Sequence, residues 1–422
     1  MANTYLTKTF TASNRKTFTV SCWVKRSSIT AQQAIFSTGN GNTGPLNLFG
    51  FNATDNLTYW EYSDGSTGLF DLQGAAALRD TSAWYHIVLS VDTTQSTASD
   101  RVKFYVNGEL VTAFDGTYNT YPNQNQDLAF NQADQHAVGR YEYNNSGYFD
   151  GLISHFHFID GTAYAASNFG STDSVTGEWK INTSPSVTYG TNGFFILKDG
   201  NSVTDQSGNS NNFALGGGTL TNTEDCPSNV FATLNPLSYQ VASQMSAPPT
   251  NGNTTLVSGS GGAWGTLIST IGATTGKYYF EAKCIANGSN CIVGAVDIDD
   301  DRSNSSAEWY IGQSSTGQGY QNNGAASNGG ASYGATYTNG DIIGVAMDLT
   351  NSKLYFSKNG TWQNSGVPTS GSTGTGAMSL TAGTTYAFAL TGHASTTWYS
   401  NFGNGYFSTG AISSEGTNAS GI

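Results

Sequence analysis

The chain has 422 residues, of which 11% are charged and 13% aromatic, with 52 glycines; few charges beside many rings exclude intrinsic disorder, which needs the reverse. Leu, Glu and Lys are scarce while Thr, Tyr, Phe, Val and turn residues abound, which excludes a helical fold and points to an all-β protein. Lys and Arg number 16 against 29 Asp and Glu, a net charge of −13 with no basic run longer than Lys25-Arg26, which excludes the positive stripe of a nucleic-acid binder and disfavours docking on anionic lipid.

The length suits about two to three domains. No segment approaches the roughly 20 apolar residues of a membrane helix. The opening Met1-Ala2-Asn3-Thr4-Tyr5-Leu6 has neither the basic nor the apolar stretch of a secretory signal. Synthesis in a cytoplasm, without membrane insertion, is the expectation. Alternating polar and apolar residues predict strands over 17–25 and 84–91. Residues 102–106, the turn Asn107-Gly108 and 109–111 read as a two-residue hairpin. A strand over 151–159 completes a two-sheet sandwich spanning 1–170.

Residues 171–249 read as an irregular connector. Within it, 193–197 is a strand followed by the turn Asp205-Gln206-Ser207-Gly208-Asn209, and 190–215 is expected to return a strand to the first sandwich. Ser246-Ala247-Pro248-Pro249 opens a linker. A second sandwich is predicted over 250–410, with a tail over 411–422. Its strands are 276–283 and 291–296, expected to pair as a hairpin across Asn287-Gly288, then 340–348, 353–357 with the turn Lys358-Asn359-Gly360, 386–390 and 397–403. The fold class is therefore all-β, two jelly-roll-like sandwiches joined by an irregular segment.

Four cysteines occur, Cys22, Cys226, Cys284 and Cys291. In the expected hairpin Cys284 and Cys291 fall opposite one another at a hydrogen-bonded position, where side chains stand farther apart. Two readings follow, a disulfide or two buried thiols, and the second suits a cytoplasmic origin.

The residues 17–25, then 84–91, then Tyr105-Val106-Asn107-Gly108, then Phe149-Asp150-Gly151 with its strand, resemble laminin-G-like (concanavalin A-like) jelly-roll domains over about 3–165. The second half resembles SPRY domains over about 250–408, through Gly276-Lys277-Tyr278-Tyr279-Phe280-Glu281, Gly340-Asp341-Ile342-Ile343-Gly344-Val345, Tyr355-Phe356, Asn359-Gly360 and Asn401-Phe402-Gly403. The pair in this order, with Val24-Lys25-Arg26-Ser27 and the run from His157 to Tyr164, resembles tailed-bacteriophage virion proteins of the tail-fibre or host-recognition type. That resemblance implies a virion component assembled in the host cytoplasm, with other virion proteins as partners, a host surface polysaccharide as ligand, and a homotrimer. It also implies a non-enzymatic role. A head or tail decoration protein without a receptor is the alternative, and a glycan depolymerase a further one. Strand pattern begins almost at Met1, so no tail-anchoring segment is expected ahead of it.

Aromatic rings set among polar loop residues carry the binding prediction, because a sugar presents apolar C–H faces and hydroxyl edges together. The candidates are Tyr59, Trp60, Tyr62, Tyr141, Tyr143, Trp309, Tyr310 and Tyr320; the competing reading is that such rings fill the sandwich cores. Asp297, Asp299, Asp300 and Asp301 form an acidic run after a strand. Clustered carboxylate oxygens suit Ca²⁺ and a carboxylate pair suits glycoside chemistry, while a solvated loop is the plainer reading of the run. His155 and His157, two apart on one strand, read either as a metal-chelating pair or as the outward face of a strand whose Phe156 and Phe158 point inward. No catalytic residue is assigned.

Overall fold

The structure, a computed structural model, describes residues 3–39, 45–63, 67–198, 200, 202–238, 245–261, 264–300, 310–313, 316–327 and 330–413. Strands make up 45% of the chain and the described residues include no α-helix, so it is nearly all β. Among the described residues no helix is long and apolar enough to cross a membrane. Two units are formed, one from residues 1–222 with 226–230 and one from 223–225 with 231–422.

In the first unit the early strands are β1 (Tyr5–Thr9), β2 (Thr17–Arg26), β3 (Gln33–Thr38), β4 (Leu46–Phe51), β5 (Asn56–Tyr62), β6 (Gly68–Ala77), β7 (Tyr85–Asp92) and β8 (Val102–Val106). The later ones are β9 (Glu109–Leu110), β10 (Phe114–Asn119), β11 (Gln135–Val138), β12 (Gly151–Asp160), β13 (Gly170–Thr172), β14 (Trp179–Ile181), β15 (Phe194–Ile196) and β16 (Ala214–Gly217). An eight-stranded sheet runs β10-β6-β5-β4-β3-β11-β1-β16, and a six-stranded sheet runs β15-β12-β2-β7-β8-β9.

Alternation explains the core between them. Phe18, Val20, Cys22 and Val24 of β2 point inward and join Phe36, Phe49, Tyr59, Phe104, Phe156, Phe158 and Phe194, each fully buried side chain contributing about 1.5–3 kcal/mol. The opposite face of β2 is buried as well, because a segment carrying Phe169, Trp179, Val187 and Tyr189 lies over the six-stranded sheet. The Asn107-Gly108 hairpin has φ of 48° and 86°, the left-handed pair that a two-residue turn of this twist requires, and joins β8 to β9. Strand β15 lies on the edge of the six-stranded sheet, with Phe194 opposite Phe158 and Ile196 opposite Phe156, while β16 caps the other sheet beside β1. Asp205 fixes this return: its carboxylate accepts from the amides of Phe195, Ser207 and Asn211, each at 2.8 Å.

The second unit comprises β17 (Thr255–Val257), β18 (Trp264–Ala273), β19 (Lys277–Ala286), β20 (Asn290–Asp297), β21 (Gln318–Gln321) and β22 (Ile342–Asp348). It continues with β23 (Lys353–Lys358), β24 (Thr361–Trp362), β25 (Met378–Ser379), β26 (Tyr386–His393) and β27 (Thr397–Asn401). One sheet runs β17-β27-β19-β22-β23-β24 with β25 also on β23, and a four-stranded sheet runs β18-β26-β20-β21.

Here the expected hairpin across Asn287-Gly288 does not form. Both edges of β19 are taken by β27 and β22, and both edges of β20 by β26 and β21. The intervening loop therefore carries the chain from one sheet to the other. Cys284 and Cys291 consequently face each other across the core as free thiols, with sulfurs 4.0 Å apart. The hydrogen bond between the thiols, then burial, pushes the Cys291 pKa up, while the same bond lowers that of Cys284.

His155 and His157 do not share a simple strand face. The β12–β2 register shifts between Ser154 and His157, and His155 has φ 47°. His157 is buried beneath Tyr189, whose hydroxyl lies 2.9 Å from its Nδ1, and stacks on Phe195 at 3.9 Å. Phe156 and Phe158 are in the core.

Candidate ligand-binding face

The eight-stranded sheet has an outer face opposite the core, and register decides what it carries. Across β3, β4, β5 and β6 the residues Ser37, Leu48, Trp60 and Asp71 stand in one row, on one side of the pleat. In the next row Tyr62 of β5 stands opposite Leu46 of β4. The rings of Trp60 and Tyr62 meet edge to face, with centroids 5.3 Å apart and planes at 85°.

A loop then folds over β3. The Ser37 hydroxyl donates to the carbonyl of Arg140 at 2.7 Å and accepts from the amide of Glu142 at 2.9 Å, and the amide of Ala34 donates to Gly147 at 2.8 Å. These bonds place Tyr141, only 5% exposed, as a floor: its ring lies 5.5 Å from Trp60 and 5.8 Å from Tyr143. Trp60, Tyr62 and Tyr143 are half-buried around it. Beneath the loop Arg140 and Glu142 form an ion pair, with Arg140 over the ring of Tyr5 at 3.6 Å. The Gln135 side chain donates to the other oxygen of Glu142 at 2.5 Å. The loop's charges are thus spent internally, and the rings it presents are held in place.

Asp71 adds an acceptor beside the rings. It is half-buried, and burial first, then the nearby Asp115, push its pKa up to about 6. The arrangement has the parts a sugar ring needs: aromatic faces for C–H contact, phenol hydroxyls, and a carboxylate at the edge.

Of the sequence-predicted residues, this face gathers Trp60, Tyr62, Tyr141 and Tyr143. Tyr59 is not part of it. Alternation along β5 turns its ring into the core, fully buried, stacked at 5.8 Å on Phe130 and with its hydroxyl 3.3 Å from Glu61. Tyr320 is likewise fully buried in the second core, donating its hydroxyl to the Ala335 carbonyl. Tyr310 is half-buried on the second unit, apart from these. Trp309 and Asp301 lie outside the described residues.

The acidic run is a turn. Asp297 ends β20 and its carboxylate accepts the amide of Asp299 at 3.0 Å, while Asp300 accepts from the Thr316 hydroxyl at 3.0 Å. Among the described residues no group of three or more His, Cys, Asp or Glu side chains is placed to hold a metal ion. Asp297 and Asp300 thus spend carboxylate oxygens on a loop amide and a hydroxyl.

Asp71 went unread in the sequence, because only the pairing of β5 with β6 brings it beside Trp60. Glu61 sits one residue from Trp60 on the buried side, and burial raises its pKa to about 8. It belongs to the core rather than to the face.

Residues 2–167 match the family model described as concanavalin A-like lectin/glucanases superfamily, and residues 277–391 match the SPRY domain model. The chain thus contains a concanavalin A-like domain and a SPRY domain. No curated protein matches the chain. Among solved structures, the SPRY domain of human HERC1 is 16% identical, covering 40% of this chain and 98% of its own, with a TM-score of 0.29. A native heptameric SAP-like pentraxin from Limulus polyphemus is 14% identical, over 46% and 89%, with a TM-score of 0.30. Domain 4 of the extracellular arabinanase AbnA from Geobacillus stearothermophilus, in complex with arabinotriose, is 20% identical, over 36% and 64%, with a TM-score of 0.26.

Proposed function

We propose that the chain is a non-enzymatic carbohydrate-binding protein whose first unit holds a sugar ring on the outer face of its eight-stranded sheet. The observation that carries this reading is the group of Trp60, Tyr62 and Tyr143 around the pinned ring of Tyr141, with Asp71 alongside. A loop tied down by three hydrogen bonds pre-organises the rings, so less ordering cost falls on binding. Trp60 and Tyr62 offer C–H contact, and Asp71 accepts a hydroxyl. The presence of a concanavalin A-like domain beside a SPRY domain fits a binding protein.

The setting we propose is a bacteriophage virion, as a tail-fibre-like trimer assembled in the host cytoplasm and engaging host surface polysaccharide. That part rests on the order of the two sequence resemblances. The test is sedimentation of the purified chain with host cells, with extracted surface polysaccharide as competitor. Binding removed by the polysaccharide and weakened at least tenfold in Trp60→Ala supports the reading. Binding unchanged in Trp60→Ala overturns this site, binding to no host favours a decoration role, and release of reducing sugar overturns the non-enzymatic assignment.

A further inference from the structure

The four-stranded sheet of the second unit also has an outer face, and its composition differs from the rest of the chain. Inward, Leu267, Cys291, Val293, Ala295, Phe388 and Leu390 join the core. The alternate residues lie on the opposite side: Trp264, Thr266 and Ile268 on β18, Thr391 and His393 on β26, Asn290 and Ile292 on β20, and Gln321 on β21, of which Ile268, Ile292 and Thr391 are buried with Ile311. In a chain with a net charge of −13, none of these is a Lys, Arg, Asp or Glu.

Three rings meet at one end of this face. Trp264 lies opposite His393 on the neighbouring strand, with centroids 4.9 Å apart and planes at 52°, and Tyr310 approaches Trp264 to 5.0 Å at 36°. All three are half-buried, and because the planes are tilted they form a shallow cup rather than a closed stack. Ile268, Ile292 and Ile311 support them from beside.

Polar groups border the cup in fixed positions. The Ser289 hydroxyl lies 2.6 Å from Nδ1 of His393, and Gln321 donates to the Asn290 carbonyl oxygen at 3.0 Å. The last bond orients both amides. It leaves the Asn290 amide hydrogens as donors and the Gln321 carbonyl oxygen as an acceptor on the half-buried rim.

We propose that Trp264, Tyr310 and His393, with Asn290 and Gln321, form a second ligand site that takes an uncharged sugar ring. Rings answer the apolar face of the sugar and the paired amides its hydroxyls. Among the described residues of this face no Lys, Arg, Asp or Glu side chain stands ready to pair with a charged ligand, and a neutral one gives up less hydration on entering. Trp264 and His393 are reached only through strand register, and the site stands independently of the one around Trp60. Two sites in one chain would give avidity on a polysaccharide.

The experiment is affinity electrophoresis of the full chain through gels holding dextran, yeast mannan or arabinogalactan, with alginate as the anionic control. Wild type, Trp60→Ala, Trp264→Ala and Tyr310→Ala are run side by side, and hydrogen exchange of β20 and β26 verifies that each variant keeps its second sandwich. The expected result is retardation by a neutral polymer that persists in Trp60→Ala and falls at least tenfold in affinity in Trp264→Ala and Tyr310→Ala. Tyr310→Ala keeps the test decisive if Trp264→Ala fails to fold. Unchanged retardation in both second-unit variants overturns the proposal, as does retardation by alginate alone or by no polymer. Loss of all binding in Trp60→Ala overturns it while leaving the first site standing; the reverse pattern spares this site and removes the first.

Discussion

The two sandwiches close their interiors with different chemistry. The first buries ionisable groups: Arg26 and Asp55 are both fully buried and paired at 2.9 Å, and Glu61, His86 and His136 are fully buried too. The second closes its core with neutral donors. The Tyr337 hydroxyl lies 2.9 Å from the carbonyls of Cys291 and Tyr320, Tyr333 donates to Gly376 at 3.0 Å, and the Trp398 indole donates to Thr391 at 3.1 Å. Two thiols complete it. A phenol or indole hydrogen bond has no charge state to lose near neutral pH, whereas a buried imidazole or carboxyl does. The first unit therefore carries buried imidazoles and a raised carboxyl, whereas in the second the buried Asp348, whose pKa burial raises but Asn351 and Lys277 hold low, adds a dependence on the acid side only.

The sharpest test of that contrast is Asp55→Ala. Burial raises the Asp55 carboxyl, but Arg79, the Thr30 amide and Arg26 outweigh it and hold the pKa below the ordinary range. Removing it strands the buried Arg26 guanidinium, at a cost of about 3–5 kcal/mol. Hydrogen exchange read by mass spectrometry should show faster exchange across β2 and β5, with β19 and β22 unchanged. Equal loosening in both units would contradict the separation.

Phe194→Ala comes next. This ring stacks on Phe156 and Phe158 at 5.7 and 5.8 Å from the returning strand, and its loss should destabilise the first unit by about 3 kcal/mol. Denaturant unfolding followed by tryptophan fluorescence measures it. A change within 0.5 kcal/mol, roughly the size of a surface substitution, would mean that β15 contributes little to the fold.

Titration gives two opposed effects. Burial lowers the pKa of His86 and of His136 to about 3. The unfolded chain takes up these protons below about 6.5, the folded chain only near 3. Their contribution is thus intact above about pH 6.5 and is lost as pH falls towards 3. His86 shows why: its Nδ1 accepts from the Trp179 indole at 3.0 Å, so the proton sits on Nε2, which faces the Ser21 hydroxyl at 3.0 Å. A second proton on Nδ1 would oppose the indole N–H.

Glu61 acts in the other direction. Its folded pKa of about 8 exceeds the ordinary 4.5, so its contribution is present below about pH 4.5 and lost as pH rises through 8. Glu61→Gln should remove the decline of the first unit's melting temperature between about pH 4.5 and 8, read by scanning calorimetry. An unaltered decline would sink that assignment. The smallest effect expected is Arg79→Ala. Its side chain is 55% exposed although it touches Asp55 at 2.8 Å, so about 1 kcal/mol or less is expected from thermal melts.

Much of the architecture was legible along the chain. The 17–25 alternation, the Asn107-Gly108 and Asn359-Gly360 turns and the phenylalanine pair flanking His157 all depend on local spacing, which a strand's two-residue period makes readable. The Asn287-Gly288 hairpin was misread for the same reason. A turn signal reports that the chain reverses, not which partner each strand takes, and here β27, β22, β26 and β21 had already occupied the edges.

The two proposed binding faces divide along that line. Composition, charge and the rings of 59–62 and 141–143 were enough to expect an aromatic, acidic, all-β binding protein. Which rings face outward was not readable, because a single residue's step separates Tyr59 in the core from Trp60 on the surface. Register in space, rather than order in the chain, brought Asp71 to Trp60 and His393 to Trp264. Strand pairing joins residues 11 and 129 positions apart, and such neighbours are chosen by the burial of whole sheets, a property no local segment carries.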